Sequence, residues 1–280
     1  MARFNLKEKS TQRRIIAVVV ALFALLVMGF YSATNPERLA HSGVLSGADW
    51  MGYGVCHRIT SHSFVFNGRQ FPLCARCTGM YLGAALTFIT LLLAGRSHWS
   101  DLPPMRVLFA LLGIVGLMGV DGLNSYSHFF PNTPHLYEPQ NWLRLLTGLG
   151  TGIMMGSVMF PALAQTLWKD QLYRPSIQSL RELAGMVLIV LTAWLLLLSN
   201  QPAIMFVLAL ISVAGLLMLL GSINLVIGLI IIRKDGKMES WRETAVPLLI
   251  GLALAILELS LISMLRYNFT GTMTGFPGLN

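Results

Sequence analysis

The chain has 280 residues, 55% hydrophobic and only 11% charged, with a net charge of +8. A soluble domain carries about 25% charged residues, so water is excluded as the solvent for most of this surface. The basic residues fall between apolar runs rather than on one face, which excludes nucleic acid as a partner and points to the lipid bilayer.

Residues 1–14 are polar and basic, and residues 15–31 form the first apolar run. That run is too long for a signal-peptide core and lacks a small-residue cleavage site, so it reads as a retained anchor. Residues 32–73 form a long polar segment. Further spans are expected at 78–94, 105–122, 142–167 (broken near Pro161), 182–198, 203–232 and 244–265. Each is near the ~20 apolar residues that cross a bilayer core, and 203–232 is long enough to tilt. Residues 123–140 read as a loop rich in His, Pro and Asn. Asn200-Gln201-Pro202 reads as a tight turn, because proline cannot extend the preceding helix. The tail from Asn268 reads as irregular. The expected fold is an all-α polytopic transmembrane bundle of about seven helices.

Lysine and arginine set its orientation. With the N-terminus inside, the outer segments hold Arg38, Arg58, Arg69, Arg76 and Arg266, and Arg144 lies at the outer end of its span. The other fourteen of the twenty basic residues fall inside. This bias predicts a cytoplasmic N-terminus in an inner (plasma) membrane.

The three cysteines then share the outer side. Cys56 is followed by His57, and Cys74 and Cys77 are spaced i and i+3 at the start of the second span. Pro72 suits the first helical turn there, which would place both thiols on one face. The helix N-terminus and Arg76 would lower their pKa values. Cys56, His57, Cys74 and Cys77 are a soft donor set of the kind that holds zinc or iron, although adjacent residues such as Cys56 and His57 bind one ion awkwardly. The alternatives are a disulfide or redox pair and unlinked structural thiols.

Arg58, Arg69, Arg76 and Arg144 stand against the inside bias. Guanidinium groups bind phosphate and carboxylate bidentately, so an anionic ligand or lipid headgroup is one expectation. Ion pairs with Asp121 or Glu138 are the other. Asp121 closes the third span, and Asn141, Arg144 and Thr147 or Gly148 recur on one face of the fourth. An Asp121–Arg144 pair would compensate both charges. Glu258, alone in its span, is expected to hydrogen-bond Asn224. The glycines of Thr147-Gly148-Leu149-Gly150-Thr151-Gly152 read as helix packing rather than a phosphate loop.

Cys56-His57-Arg58, Ser63-Phe64 and the run Gly68-Arg69-Gln70-Phe71-Pro72-Leu73-Cys74-Ala75-Arg76-Cys77-Thr78-Gly79 resemble the signature of a prokaryotic membrane family catalogued as domain of unknown function 2085. Asp121-Gly122 and Asn141-Trp142-Leu143-Arg144-Leu145-Leu146-Thr147-Gly148 are similar to its second half. The resemblance covers about residues 51–156 and implies a membrane protein; it supplies no reaction. It divides the chain into residues 1–50, a signature domain at 51–165, and a three-helix extension at 166–280.

Three functions compete. One is a metal site on Cys56, His57, Cys74 and Cys77. Another is an enzyme acting on an anionic or lipid-linked substrate. Cys74 or Cys77 would be its nucleophile, His57 or Asp121 its proton acceptor, and Arg144 with the other arginines its anion clamp. The third is a subunit or assembly factor that docks on a membrane-complex partner through the extension.

Overall fold

The apolar runs become helices because each is long, sparsely charged and able to satisfy its own backbone, as a bilayer requires. A computed structural model describes residues 41–128, 130 and 134–275. The expected span at 15–31 lies outside the described residues. Among those described, six helices are long and apolar enough to cross a membrane. They are α2 (Ala75–Leu93), α3 (Met105–Ser127), α4 (Asn141–Leu167), α5 (Leu180–Leu198), α6 (Pro202–Ile231) and α7 (Trp241–Thr270), preceded by the short helix α1 (Gly43–Tyr53). The protein is thus an all-α transmembrane bundle. α2, α4 and α6 begin, and α3, α5 and α7 end, at the face that carries α1.

Three expectations need correction. The stretch 32–73 is not simply a polar loop. It contains α1, capped by Ser42, and a two-stranded hairpin of β1 (Val65–Phe66) and β2 (Arg69–Gln70). Asn67 and Gly68 both take positive φ at its turn, as Asn-Gly hairpin turns require. α3 does not stop at 122. It runs to Ser127, because Asn124 is satisfied inside: its Oδ1 accepts from Leu136 N at 2.8 Å and its Nδ2 donates to Tyr137 O at 2.8 Å.

Third, α4 is not broken at Pro161. Proline frees the carbonyl four residues back, here that of Ser157. Ser176 Oγ donates to that carbonyl at 2.9 Å and keeps the helix continuous. The turn at 199–201 is as expected: Asn200 has φ of 54° and Pro202 opens α6.

The bundle centres on α2 against α4. A Cβ on Gly79 would lie 2.4 Å from Leu145 O, and one on Gly148 2.4 Å from Arg76 O. Backbone contact this close is possible only without side chains. The glycine run of α4 is therefore packing, as its spacing indicated. α6 and α7, from the extension, close the bundle on the other side of α2. α3 and α7 leave most of their surface outward. At the far end, β3 (Trp99–Asp101) pairs in parallel with β4 (Leu172–Pro175), and Arg96 binds Glu182 through two hydrogen bonds at 2.6 and 2.9 Å. Within the bundle Asn224 Nδ2 donates to Glu258 Oε2 at 3.1 Å, the pairing expected of the lone carboxyl.

Candidate metal centre and arginine network

The sulfurs converge because α1 lies directly on the chain that enters α2. A Cβ on Gly52 would sit 2.4 Å from Pro72 O, so the segment leaving α1 delivers Cys56 onto the start of α2. Pro72 is outside the helix; Cys74 is the N-cap and Cys77 the third helical residue. The three Sγ atoms lie within 4.8 Å of one another. All three are free thiols, with Cys56 and Cys74 buried and Cys77 half-buried. The backbone N–H of Cys74 donates to Cys56 Sγ at 3.1 Å, which uses an orphan donor of the helix N-terminus.

The thiols divide their roles. The Cys74 and then the Cys77 thiol donate toward Cys56 and hold its pKa well below the ordinary value, against the effect of burial. Cys74, as a donor to Cys56, is pushed up to about 12. The apolar side of the pocket comes from Ala48, Leu73, Val213, Leu216 and Leu259, so α6 and α7 of the extension help to enclose it.

His57 stands outside this sulfur triad. Its Nδ1 accepts from Ile59 N at 3.2 Å, and its ring meets His62 edge to face at 5.6 Å. Among the described residues, the group of donors whose ligand atoms all lie within 4.8 Å of one another is Cys56, Cys74 and Cys77, without His57. Burial lowers the pKa of His57, opposed by Cys56. Burial and then Arg144 push His62 down to about 4.

The four arginines fall into two groups, each with one carboxylate. In the first, Asp49 accepts from Arg58 at 3.1 Å and from Arg69 at 2.5 Å. Gln70 Nε2 holds the Arg58 carbonyl and Ser63 Oγ, both at 2.9 Å. Arg58 is buried with φ of 51°, a left-handed conformation that costs energy outside glycine. Burial, opposed by Asp49, lowers its pKa. A cleft of about 670 Å³ opens beside this group.

In the second group, Asp121 pairs with Arg76 and accepts from Tyr137 O–H at 2.8 Å. Burial and this bond push the Tyr137 hydroxyl up to about 12. The expected Asp121–Arg144 pair does not form. Arg76 reaches Asp121 first, from the first turn of α2, and Arg144 donates to Ser125 Oγ at 3.4 Å and Asn141 Oδ1 at 2.7 Å instead. His128 stacks on His135 at 3.6 Å and faces Glu138.

Sequence reasoning passed over Asp49, Ser125, Tyr137 and Arg266 as site residues. Arg266 donates to the carbonyls of Tyr53 at 2.8 Å, Cys56 at 2.5 Å and His57 at 3.0 Å. Its place on the side that the charge bias predicts to be outside was the available signal. The others carried none, since their partners lie on different elements.

A bundle of spanning helices with buried polar residues gathered at one end defines a multi-pass membrane protein with a thiol cluster near one membrane face. The family described as "Predicted membrane protein (DUF2085)" matches residues 56–158. An "Uncharacterized protein" of Methanothermobacter thermautotrophicus (strain Delta H) is 35% identical over 99 residues, which are 35% of this chain and 78% of that protein. The chain belongs to this family. The matched region ends within α4, so α5, α6 and α7 are additional to it. No solved structure matches the chain.

Proposed function

We propose that this plasma-membrane protein holds a thiophilic metal ion, zinc or iron, on Cys56, Cys74 and Cys77 at its extracytoplasmic face. The mutual approach of the three sulfurs within 4.8 Å carries this reading. Tetrahedral thiolate sites with bonds of ~2.3 Å need sulfurs ~3.8 Å apart, a small adjustment from this geometry. Three protein ligands leave one position for a further ligand, as in catalytic rather than closed structural sites. Bound there, the metal would supply Lewis acidity; the chain supplies the thiolates, the Cys74 amide and the Arg266 clamp on the Cys56 carbonyl. Such supports commonly tune a metal site as strongly as its ligands.

The outward orientation rests on charge. Among the described residues, the opposite face carries Arg96, Arg106, Lys169, Arg174, Arg181, Arg233, Lys234, Lys237 and Arg242. The cysteine face carries Arg58, Arg69, Arg76, Arg144 and Arg266, each engaged by protein groups. The excess of basic residues supports a cytoplasmic location for the opposite face.

Elemental analysis of the full chain, purified without chelating resin, tests the metal. About one zinc or iron per protein is expected, lost in Cys56→Ser, Cys74→Ser and Cys77→Ser. A metal-free wild type whose thiols all alkylate while it remains folded would exclude the reading. Labelling of a cysteine introduced at Thr274 by a membrane-impermeant maleimide tests the orientation: it should succeed in whole spheroplasts and fail in inverted vesicles.

A further inference from the structure

A cavity of about 530 Å³ lies between α2, α4, α6 and α7, in the half of the bundle away from the cysteines. Apolar cavities of only ~150 Å³ stay dry and take up a benzene ring, because atoms that line a void lose their contacts on that side. Among the described residues no charged side chain lines this one. Two edge-to-face aromatic pairs stand in its walls, Phe88 with Phe160 at 5.3 Å and Trp168 with Trp241 at 4.7 Å. Trp241 is 53% exposed, so the cavity reaches the bundle surface beside it.

A hydroxyl interrupts this apolar lining. Ser222, within α6, is 3% exposed and lines the cavity. Helical hydroxyls elsewhere in the bundle donate to their own helix, as Ser212 does to Ala209 O at 2.7 Å and Thr166 to Ala162 O at 2.8 Å. The Ser222 hydroxyl has no partner among the described residues, and it is not sealed among packed atoms, so it opens on the cavity. Ser97, in the loop after α2, also lines the cavity. Its carbonyl is taken by Trp168 Nε1 at 2.8 Å. An unpaired hydroxyl in an apolar interior is costly, and a ligand oxygen would satisfy it. A charged head would lose its water there and find no counter-charge.

We infer that the protein binds an uncharged lipid in this cavity, with an apolar body between the aromatic pairs and a head oxygen that accepts from Ser222. A prenyl quinone and a diacylglycerol share this chemistry. No cysteine lines the cavity, and the inference does not rest on a metal at the cysteine cluster.

The test is native mass spectrometry of the full chain in detergent, titrated with decylubiquinone, dioleoylglycerol or dioleoylphosphatidylglycerol. Wild type should retain one of the uncharged lipids about tenfold better than the charged one, and the one retained identifies the head. Ser222→Ala should lose about three- to tenfold, the worth of one hydrogen bond. Ala214→Phe puts a ring into the cavity from another wall position and should lose about tenfold or more, so the inference stands or falls even if Ser222→Ala does not fold. Leu188→Phe, at an exposed position of α5 outside the lining, should bind as wild type does. Stripping metal with a chelator should leave retention unchanged, which separates this site from the cysteine reading. Equal retention of charged and uncharged lipids, retention of none of the three, or undiminished retention in either Ser222→Ala or Ala214→Phe would overturn it.

Discussion

Arg266, near the end of α7, stacks 4.1 Å above the ring of Tyr53 and donates to its carbonyl at 2.8 Å. The same guanidinium reaches the carbonyls of Cys56 and His57. It closes the C-terminal end of α1, whose last carbonyls have no helical donors, and so fixes the backbone from which Cys56 projects. Arg266→Ala strands these acceptors, and each buried unsatisfied group costs about 1–3 kcal/mol. A lower unfolding temperature and faster alkylation of Cys56 are expected. Arg266→Lys can meet only part of the fork and should fall between. Unchanged alkylation in Arg266→Ala would show that the clamp does not govern the cysteine.

Asp121 is 1% exposed and compensates Arg76. Asp121→Asn keeps the shape and removes the charge, so a loss of about 3 kcal/mol is expected, as for other broken buried pairs. The double variant Arg76→Met/Asp121→Leu should be more stable than Asp121→Asn, because the Arg76 charge is removed along with its counter-charge. Chemical unfolding in mixed micelles measures both. If Asp121→Asn were as stable as wild type, the carboxylate would not be the counter-charge.

The spans 105–122, 142–167, 182–198, 203–232 and 244–265 were legible because a bilayer demands one simple property, an unbroken apolar run. The glycine contacts of α2 and α4 were legible for a similar reason: small residues at helical spacing have few other uses. The site was legible only in its ingredients. Cys74 and Cys77 share one element, so their spacing placed them together. Which arginine reaches Asp121 depends on the relative height of α2 and α4, and sequence does not report that. α1 was lost inside a segment whose polar composition reflects its interfacial position. Pro161 misled because its compensating donor, Ser176, comes from another element.

The glycines of this bundle are expected to divide sharply. At Gly79 a Cβ would meet Leu145 O at 2.4 Å, and at Gly152 Met80 O at 2.3 Å. Both obstacles are backbone, so α2 and α4 must separate. Gly79→Ala and Gly152→Ala should each cost about 1–3 kcal/mol and reduce the monodisperse yield. At Gly116 no atom lies within 4 Å, and alanine is the better helix former by about 1 kcal/mol. Gly116→Ala should be neutral or stabilising. Thermal unfolding monitored by light scattering compares the three; equal behaviour would refute the close packing of α2 and α4.

Acid should weaken the cysteine-bearing face through His62. Its folded pKa is about 4, below the ordinary 6.5, through burial and then Arg144 and His57. A lowered histidine pKa means the folded state prefers the neutral ring, so the unfolded chain takes up the proton first. The contribution is fully present above about pH 6.5 and is lost progressively as pH falls toward 4. His57 shifts in the same direction. The unfolding temperature should therefore drop between pH 6.5 and 4, and His62→Gln should make that decline shallower. The same decline in His62→Gln as in wild type would assign it to other groups.

The continuity of α4 through Pro161 rests on a donor borrowed from the segment that leads into α5. Ser176 Oγ holds the Ser157 carbonyl at 2.9 Å, while Arg96 holds the Ser176 carbonyl at 2.8 Å. Ser176→Ala leaves the Ser157 carbonyl buried without a donor, at a cost of about 1–3 kcal/mol. Pro161→Ala restores the N–H that a regular helix would place there. In a Pro161→Ala background, Ser176→Ala should consequently cost much less. A double-mutant cycle on unfolding free energies reads this directly, and an interaction energy near zero would mean that the two residues do not compensate each other. The coupling matters beyond local geometry. A kink at Pro161 would tilt the half of α4 that bears Arg144 and move Arg144 relative to Asp121 and Arg76, so the far end of the helix sets the alignment of the arginine network.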